Sequence, residues 1–273
     1  MIETDRRPYA YRTSHRLEEV DVTLSDGTPA KLLRKDLRWS ALHTQARAAK
    51  PAFLHNPARE VAAYALIKDL GWGTPQLYES GKDWLLMEKV DGVELWQVGD
   101  LGTWADAARW LGRLHRHFEQ APPTDSRLLR YQGAYFKGWC TRAAERHPEI
   151  SNLVPYADRA IEILSVDRPT LVHGEFYASN IVVAHDRIAP VDWEMAGLGS
   201  GMIDLAALLS GWGDDARMAM IAAYGGAREK VLAAAELQIA LQWLGWSEAW
   251  IPPPEHRRDW VAEARAAARH LGL

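Results

Sequence analysis

Residues 171–194 read LVHGEFYASNIVVAHDRIAPVDWE, an order that ordinary core packing does not ask for. Ile181, Val182 and Val183 form one short apolar run, His185, Asp186 and Arg187 a polar turn, and residues 188–191 a second run that ends at Asp192. Two such runs around a polar turn read as a β-hairpin. A hairpin of this length returns the chain to its start. Asp192 is therefore expected beside Asn180 and not far from Glu175, so that one amide and two carboxylates share a small space.

That donor set suits a hard divalent cation. Mg2+ takes one or two protein oxygens and fills its remaining positions with water and phosphate oxygens. A carboxylate left in reach can accept a proton from a hydroxyl nucleophile. Glu175 precedes Asn180 by five residues, and Asp192 follows after the hairpin. This is the spacing of a phosphoryl-transfer site, in which a loop acid precedes a metal-binding Asn and a second metal-binding Asp follows.

The first third of the chain reads as strands around one helix. Residues 16–24 end in alternation (Val20, Val22, Leu24), Asp26-Gly27 marks a turn, and residues 30–37 return with Leu33, Lys35 and Leu37 on one face and Arg34 and Asp36 on the other. The helix over 55–71 has Asn56 as its N-cap, Pro57 at its first position and Gly71 at its close. Strands over 76–81 and 83–90 follow, and Asp91-Gly92 breaks the pattern. From about residue 101 the periodicity is helical, interrupted only by the strand-rich island 171–193. Two parts are expected, 1–90 and 91–273. Residues 1–90 carry 14 Lys and Arg against 12 Asp and Glu, while 91–273 carry 18 against 24. A polyanion would prefer the first part and a cationic small molecule the second. The net charge of -4 argues against a nucleic-acid partner. A lone cysteine, Cys140, excludes an internal disulfide, and the charged start lacks an apolar signal region. No apolar run is long enough to span a membrane. A cytoplasmic protein is expected.

The motif HGExxxxN at His173 to Asn180, the VDWE at 191–194 and the DLA that begins at Asp204 resemble those of the aminoglycoside phosphotransferase and choline kinase family. The resemblance implies a bilobal, protein-kinase-like α+β fold, with a small antiparallel-sheet N-lobe and a larger, mainly helical C-lobe. It implies ATP or GTP as phosphoryl donor, Mg2+ held by Asn180 and Asp192, and a small-molecule hydroxyl as acceptor. Glu175 would orient or deprotonate that hydroxyl, with His173 and Asp204 as structural braces. Lys35 would steady the phosphates, and Glu60 either pairs with it or complements its own helix N-terminus. The segment 87–90, including Glu88 and Val90, falls where an interlobe hinge offers backbone groups to adenine. With no glycine-rich motif present, the turn 11–14 with Ser14 takes the place of the phosphate loop. One departure stands out: Glu175 replaces the family's aspartate, and its extra methylene moves the carboxylate by roughly 1 Å, an offset that can cost about a hundredfold in rate. A loop backbone set back to compensate is expected, since the two metal ligands are intact.

Two other readings compete. A nucleotide-binding pseudokinase would bind without turnover, and a metal-dependent hydrolase would use His173, Glu175 and Asp192. His115 and His117 stand two apart on a helix, face different ways and are read as core or surface residues. Trp243, Trp246 and Trp250 share a helical face, either as core or as the wall of an acceptor pocket for an aminoglycoside, another amino-sugar, a choline-like amine or another natural product.

Overall fold

Alternation of apolar and polar residues sets the first sheet. The computed structural model describes residues 1–9, 14–185, 187–247 and 257–272. Strands β1 (Ile2–Pro8), β2 (Leu17–Thr23) and β3 (Pro29–Asp36) precede two helices, α1 (Thr44–Ala49) and α2 (Pro57–Ile67), and strands β4 (Leu77–Ser80) and β5 (Trp84–Glu88) complete the small part. The sheet order is β1-β2-β3-β5-β4, antiparallel throughout. Register decides the faces. Arg34 lies opposite Leu86, and that side packs Val20, Val22, Leu32 and Leu86 together. Lys35 lies opposite Leu85 and Leu33 opposite Met87, and this side covers α2.

Three details differ from expectation. Strand β1 has no apolar alternation (IETDRRP); it is an edge strand held to β2 by ion pairs such as Arg7–Asp21 at 2.7 Å. The small part holds a second helix, α1, whose six residues are too few to show a period. Helix α2 begins as expected, with the Asn56 side chain accepting the Ala58 N–H at 3.1 Å, but it ends at Ile67; Gly71 lies beyond it in a turn, with φ +63°.

Strand β6 (Val93–Glu94) and helix α3 (Leu101–Gln120) open the larger part. Strand β7 (Leu129–Arg130), α4 (Gly133–Arg146) and α5 (Val154–Val166) lead to the predicted island at 171–193, which holds β9 (Ile181–Val183), β10 (Ile188–Pro190) and the end of β8 (Pro169–Val172), while β11 (Gly197–Ser200) falls beyond it. Helices α6 (Met202–Leu209), α7 (Asp214–Tyr224), α8 (Glu229–Gly245) and α9 (Trp260–His270) follow. The expected hairpin is β9–β10, Ile181 facing Pro190, and β6 adds a third strand to it. Strand β11 joins β7 and β8.

The main core gathers α3 to α9 around residues such as Leu111, Phe136, Leu205 and Ala234. A second core joins the small sheet to α3: Leu37, Tyr64, Leu85, Leu114, Phe118 and, wholly buried, Trp193. The tryptophan of the VDWE motif is thus the peg between the two parts. Among the described residues no helix is long and apolar enough to cross a membrane.

Candidate active site

Strand β8 carries Leu171 and Val172 into the core and delivers His173 to a sharp turn. Gly174 turns with φ +87°, and a Cβ there would run into the Tyr131 hydroxyl and the Met195 carbonyl, so only glycine fits. The turn is held from α6. Asp204, wholly buried, accepts the His173 N–H at 2.7 Å and the Gly174 N–H at 2.8 Å. Two amides aimed at one carboxylate make charge-assisted bonds, about twice as strong as neutral ones. His115 of α3 adds a third contact, Nε2 to Asp204 at 3.2 Å, while its Nδ1 lies 2.8 Å from the Tyr224 hydroxyl. Of its two sequence readings the structure takes the core, but that core residue is tied to the catalytic loop.

The His173 ring is also occupied. Its Nε2 lies 2.9 Å from the Val191 carbonyl, and its Nδ1 accepts the Glu175 N–H at 3.3 Å. A carbonyl can only accept and an amide N–H can only donate, so the proton sits on Nε2. Burial keeps His173 below its ordinary pKa, Asp204 opposing, which matches a neutral ring. The ring thus straps the loop to the end of β10 and has no nitrogen left for a metal, which removes the metal-dependent hydrolase arrangement.

The hairpin closes as expected, with the Val191 N–H donating to the Asn180 carbonyl at 2.9 Å. Asn180 Nδ2 donates to the Glu175 carbonyl at 3.0 Å, which fixes the amide flip and turns Oδ1 the other way. Asp192 is left-handed, φ 62° and ψ 64°, and among the described residues it is the one non-glycine with positive φ. Such a conformation costs about 1–3 kcal/mol and persists only where its surroundings impose it. Lys35 Nζ supplies part of that constraint, 2.7 Å from Asp192 Oδ1 and 2.8 Å from Glu60 Oε2. Burial opposes the lysine's charge, but Asp192, Glu60 and Glu194 outweigh it and hold Lys35 well above its ordinary pKa. Arg34, its rival, lies instead on the outer face over Trp84. Glu60 makes the ion pair rather than merely facing its helix terminus.

A second buried pair stands alongside. Lys50, between α1 and α2, lies 2.5 Å from the Glu194 carboxylate. Burial works against the ionised Glu194, yet Lys50 and Lys35 pull its pKa down to about 2. Glu175 has no such partner: burial first, then the charges of Glu194 and Asp192, push it up to about 8. Three carboxylates, Glu60, Asp192 and Glu194, thus share two ammonium groups, Lys35 and Lys50, while Glu175 stands apart with its pKa raised. Among the described residues no group of three or more His, Cys, Asp or Glu forms a cage for a metal ion. An amide oxygen and one carboxylate fit Mg2+ completed by water and phosphate, not a closed protein site.

The nucleotide side is less complete. Ser14 is half-buried, its carbonyl accepting the His43 N–H at 3.1 Å, and residues 11–13 of the expected phosphate turn lie outside the described residues. Glu88 spends its N–H on the Gln76 carbonyl at 2.8 Å and pairs its carboxylate with Arg187, so that N–H is not open to adenine. Val90, half-buried, follows where the chain leaves β5.

An aromatic group begins at Tyr177, two residues past Glu175. The Tyr177 hydroxyl accepts the Trp243 Nε1–H at 2.8 Å, and Trp243 stacks on Trp260 at 5.1 Å. Burial and then the Glu175 charge raise the Tyr177 pKa. Trp246 stacks on Trp139 at 5.4 Å, with Phe53 against Trp139 at 5.7 Å. The tryptophans do not share one helical face, because α8 ends at Gly245 and Trp246 caps it from outside. Trp250 lies outside the described residues. Lys50 and Arg59 escaped the sequence reading, and the contacts of His115 and Glu194 were not foreseen there. Only Glu194, inside the VDWE motif, had a visible signal.

Solved structures share this architecture along the whole chain. The choline kinase LicA from Streptococcus pneumoniae superposes with a TM-score of 0.66 at 16% identity, over 99% of this chain and 94% of that one. The macrolide 2'-phosphotransferase MphH from Brachybacterium faecium gives 0.61 at 17%, over 98% and 92%. A streptomycin–ATP complex of APH(2'')-IIa gives 0.58 at 13%, over 98% and 91%. At these identities the likeness shows the fold, bilobal and protein-kinase-like. No curated protein sequence matches the chain. Residues 46–239 match the phosphotransferase enzyme family (APH), a span that includes Glu60, the loop 173–180, the β9–β10 hairpin and Asp204. The chain belongs to the phosphotransferase enzyme family.

Proposed function

We propose that this protein transfers the γ-phosphoryl group of ATP, or of GTP, to a hydroxyl of a small molecule, with residues 1–90 taking the nucleotide and 91–273 the acceptor. The observation that carries the proposal is the convergence of Lys35–Glu60, Asn180, Asp192 and Glu175 from four separate elements on one point. Bound Mg2+ would neutralise charge on the β- and γ-phosphate oxygens; Asn180 and Asp192 would hold it. Lys35 steadies the phosphates. Glu175 orients the acceptor hydroxyl and takes its proton as the oxygen bonds to phosphorus and the bond to the ADP oxygen breaks. Little covalent chemistry falls to the protein, and positioning with charge stabilisation does most of the work.

The acceptor class is an amine-bearing alcohol: an aminoglycoside, another amino-sugar or a choline-like compound. Support comes from the Tyr177 and Trp243 rings, which meet two residues past Glu175, since aromatic faces attract ammonium groups. Relatives of the same fold are named as choline and macrolide kinases, and one was solved with streptomycin and ATP. The test is a phosphorus NMR screen of such alcohols with Mg·ATP. The expected result is a new phosphoester resonance appearing as ATP is converted to ADP. Thermal stabilisation by Mg·ATP with no turnover of any acceptor would support the pseudokinase reading instead.

A further inference from the structure

Glu194 stands two residues past Asp192, and the small part grips it at more than one atom. Lys50 Nζ meets its carboxylate at 2.5 Å, with His15 Nδ1 3.6 Å away. Arg59 donates to its main-chain carbonyl at 2.8 Å and, from the same guanidinium nitrogen, to the Leu54 carbonyl at 2.8 Å. Arg59 and Glu60 are neighbours on α2. One helix therefore reaches both sides of the buried Trp193: through Glu60 and Lys35 to Asp192, and through Arg59 to Glu194. Lys50 adds a third tie from the segment before that helix.

We propose that Lys50 and Arg59 are positioning residues that clamp Glu194 and thereby hold Asp192 in the left-handed conformation from which its carboxylate meets the metal. The inference rests on the reading of Asp192 as a metal-holding residue. A role in stability alone does not account for the arrangement. A buried ion pair loses much of its attraction to desolvation, and well-packed apolar side chains often serve a core as well or better. The lysine's side chain is 6% exposed and the glutamate's 14%, so both charges carry that desolvation. What an apolar pair cannot do is fix the direction of the chain on the far side of Trp193. Groups behind metal ligands do this elsewhere, and their loss lowers metal affinity about 10- to 100-fold.

The test measures ADP binding by calorimetry with and without Mg2+, which needs no turnover. For Lys50→Met, metal-free ADP affinity stays within about twofold of wild type, while the gain on adding Mg2+ shrinks by about tenfold. Lys50→Arg keeps the full gain. A folded Lys50→Met protein with an undiminished Mg2+ gain overturns the clamp. Should that variant not fold, Glu194→Gln, which removes a buried charge and keeps the carbonyl tie to Arg59, carries the same expectation and the same refutation. Asp192→Asn separates the two claims. If it loses the Mg2+ gain while Lys50→Met and Glu194→Gln keep it, the clamp alone fails. If Asp192→Asn itself keeps the gain, the metal assignment fails and the clamp with it.

Discussion

Replacing Asp204 by asparagine changes one atom at the back of the catalytic loop, and its cost can be worked from the contacts. Oδ1 accepts the Gly174 N–H, while Oδ2 accepts the His173 N–H and meets His115 Nε2. An amide has one oxygen, so the gentler orientation gives up the Gly174 bond and points NH2 at a donor. Losing a hydrogen bond to a charged group costs about 1.5–3 kcal/mol, and leaving the buried Gly174 N–H without an acceptor costs a further 1–3 kcal/mol or so. The sum is about 2.5–6 kcal/mol. Domains are stable by about 5–15 kcal/mol, so Asp204→Asn should fold but melt roughly 10 °C lower. Denaturant unfolding followed by tryptophan fluorescence measures the first quantity and scanning calorimetry the second. Because the lost bond sits directly before Glu175, a shift of the loop by about 1 Å should also lower kcat about a hundredfold. A loss below about 1 kcal/mol with unchanged kcat would refute the view that Asp204 holds the loop.

Other substitutions probe other links. Glu175→Ala should remove most acceptor phosphorylation, by about 10²–10⁴-fold, with little change in nucleotide affinity, as steady-state rates and ADP titrations would show. Trp193→Ala should cost about 3–5 kcal/mol in denaturant unfolding, because the indole is the wholly buried peg between sheet and helices. In the metal- and nucleotide-free protein, Glu175 should subtract stability as pH rises. Glu175 holds its proton up to about 8 when folded, against an ordinary value near 4.5, so the folded state binds more protons between those values. Its contribution is fully present below about 4.5 and gone above about 8; melting curves of Glu175→Gln should be flatter across that window.

Where the sequence carried a strong local signal, the structure follows it. Asn56-Pro57 marked the start of α2, the alternation around Lys35 chose its face over that of Arg34, and the hairpin after Asn180 returned Asp192 to its neighbour. Those signals are short-range: a cap, a period of two, a turn. Strand β1 was illegible because its stabilising partners are charges on β2, not a buried face. The clamp on Glu194 was illegible for a different reason. Lys50 and Glu194 are 144 residues apart, and neither sits in a pattern that points to the other. Only the packing of Trp193 under the small sheet brings them together. His115 looked like an ordinary core histidine because its partners, Asp204 and Tyr224, lie on two later helices. The tryptophan face failed at an element boundary, with α8 stopping one residue before Trp246.

The central claim is that Asn180 and Asp192 hold a divalent cation against the nucleotide's phosphates. The most direct measurement is ATP turnover against Mg2+ concentration for wild type and for Asp192→Asn, with circular dichroism to establish that the variant is folded. The account predicts a folded Asp192→Asn protein without Mg2+-dependent turnover. A folded variant that turns ATP over at the wild-type rate, with the same Mg2+ dependence, would contradict it.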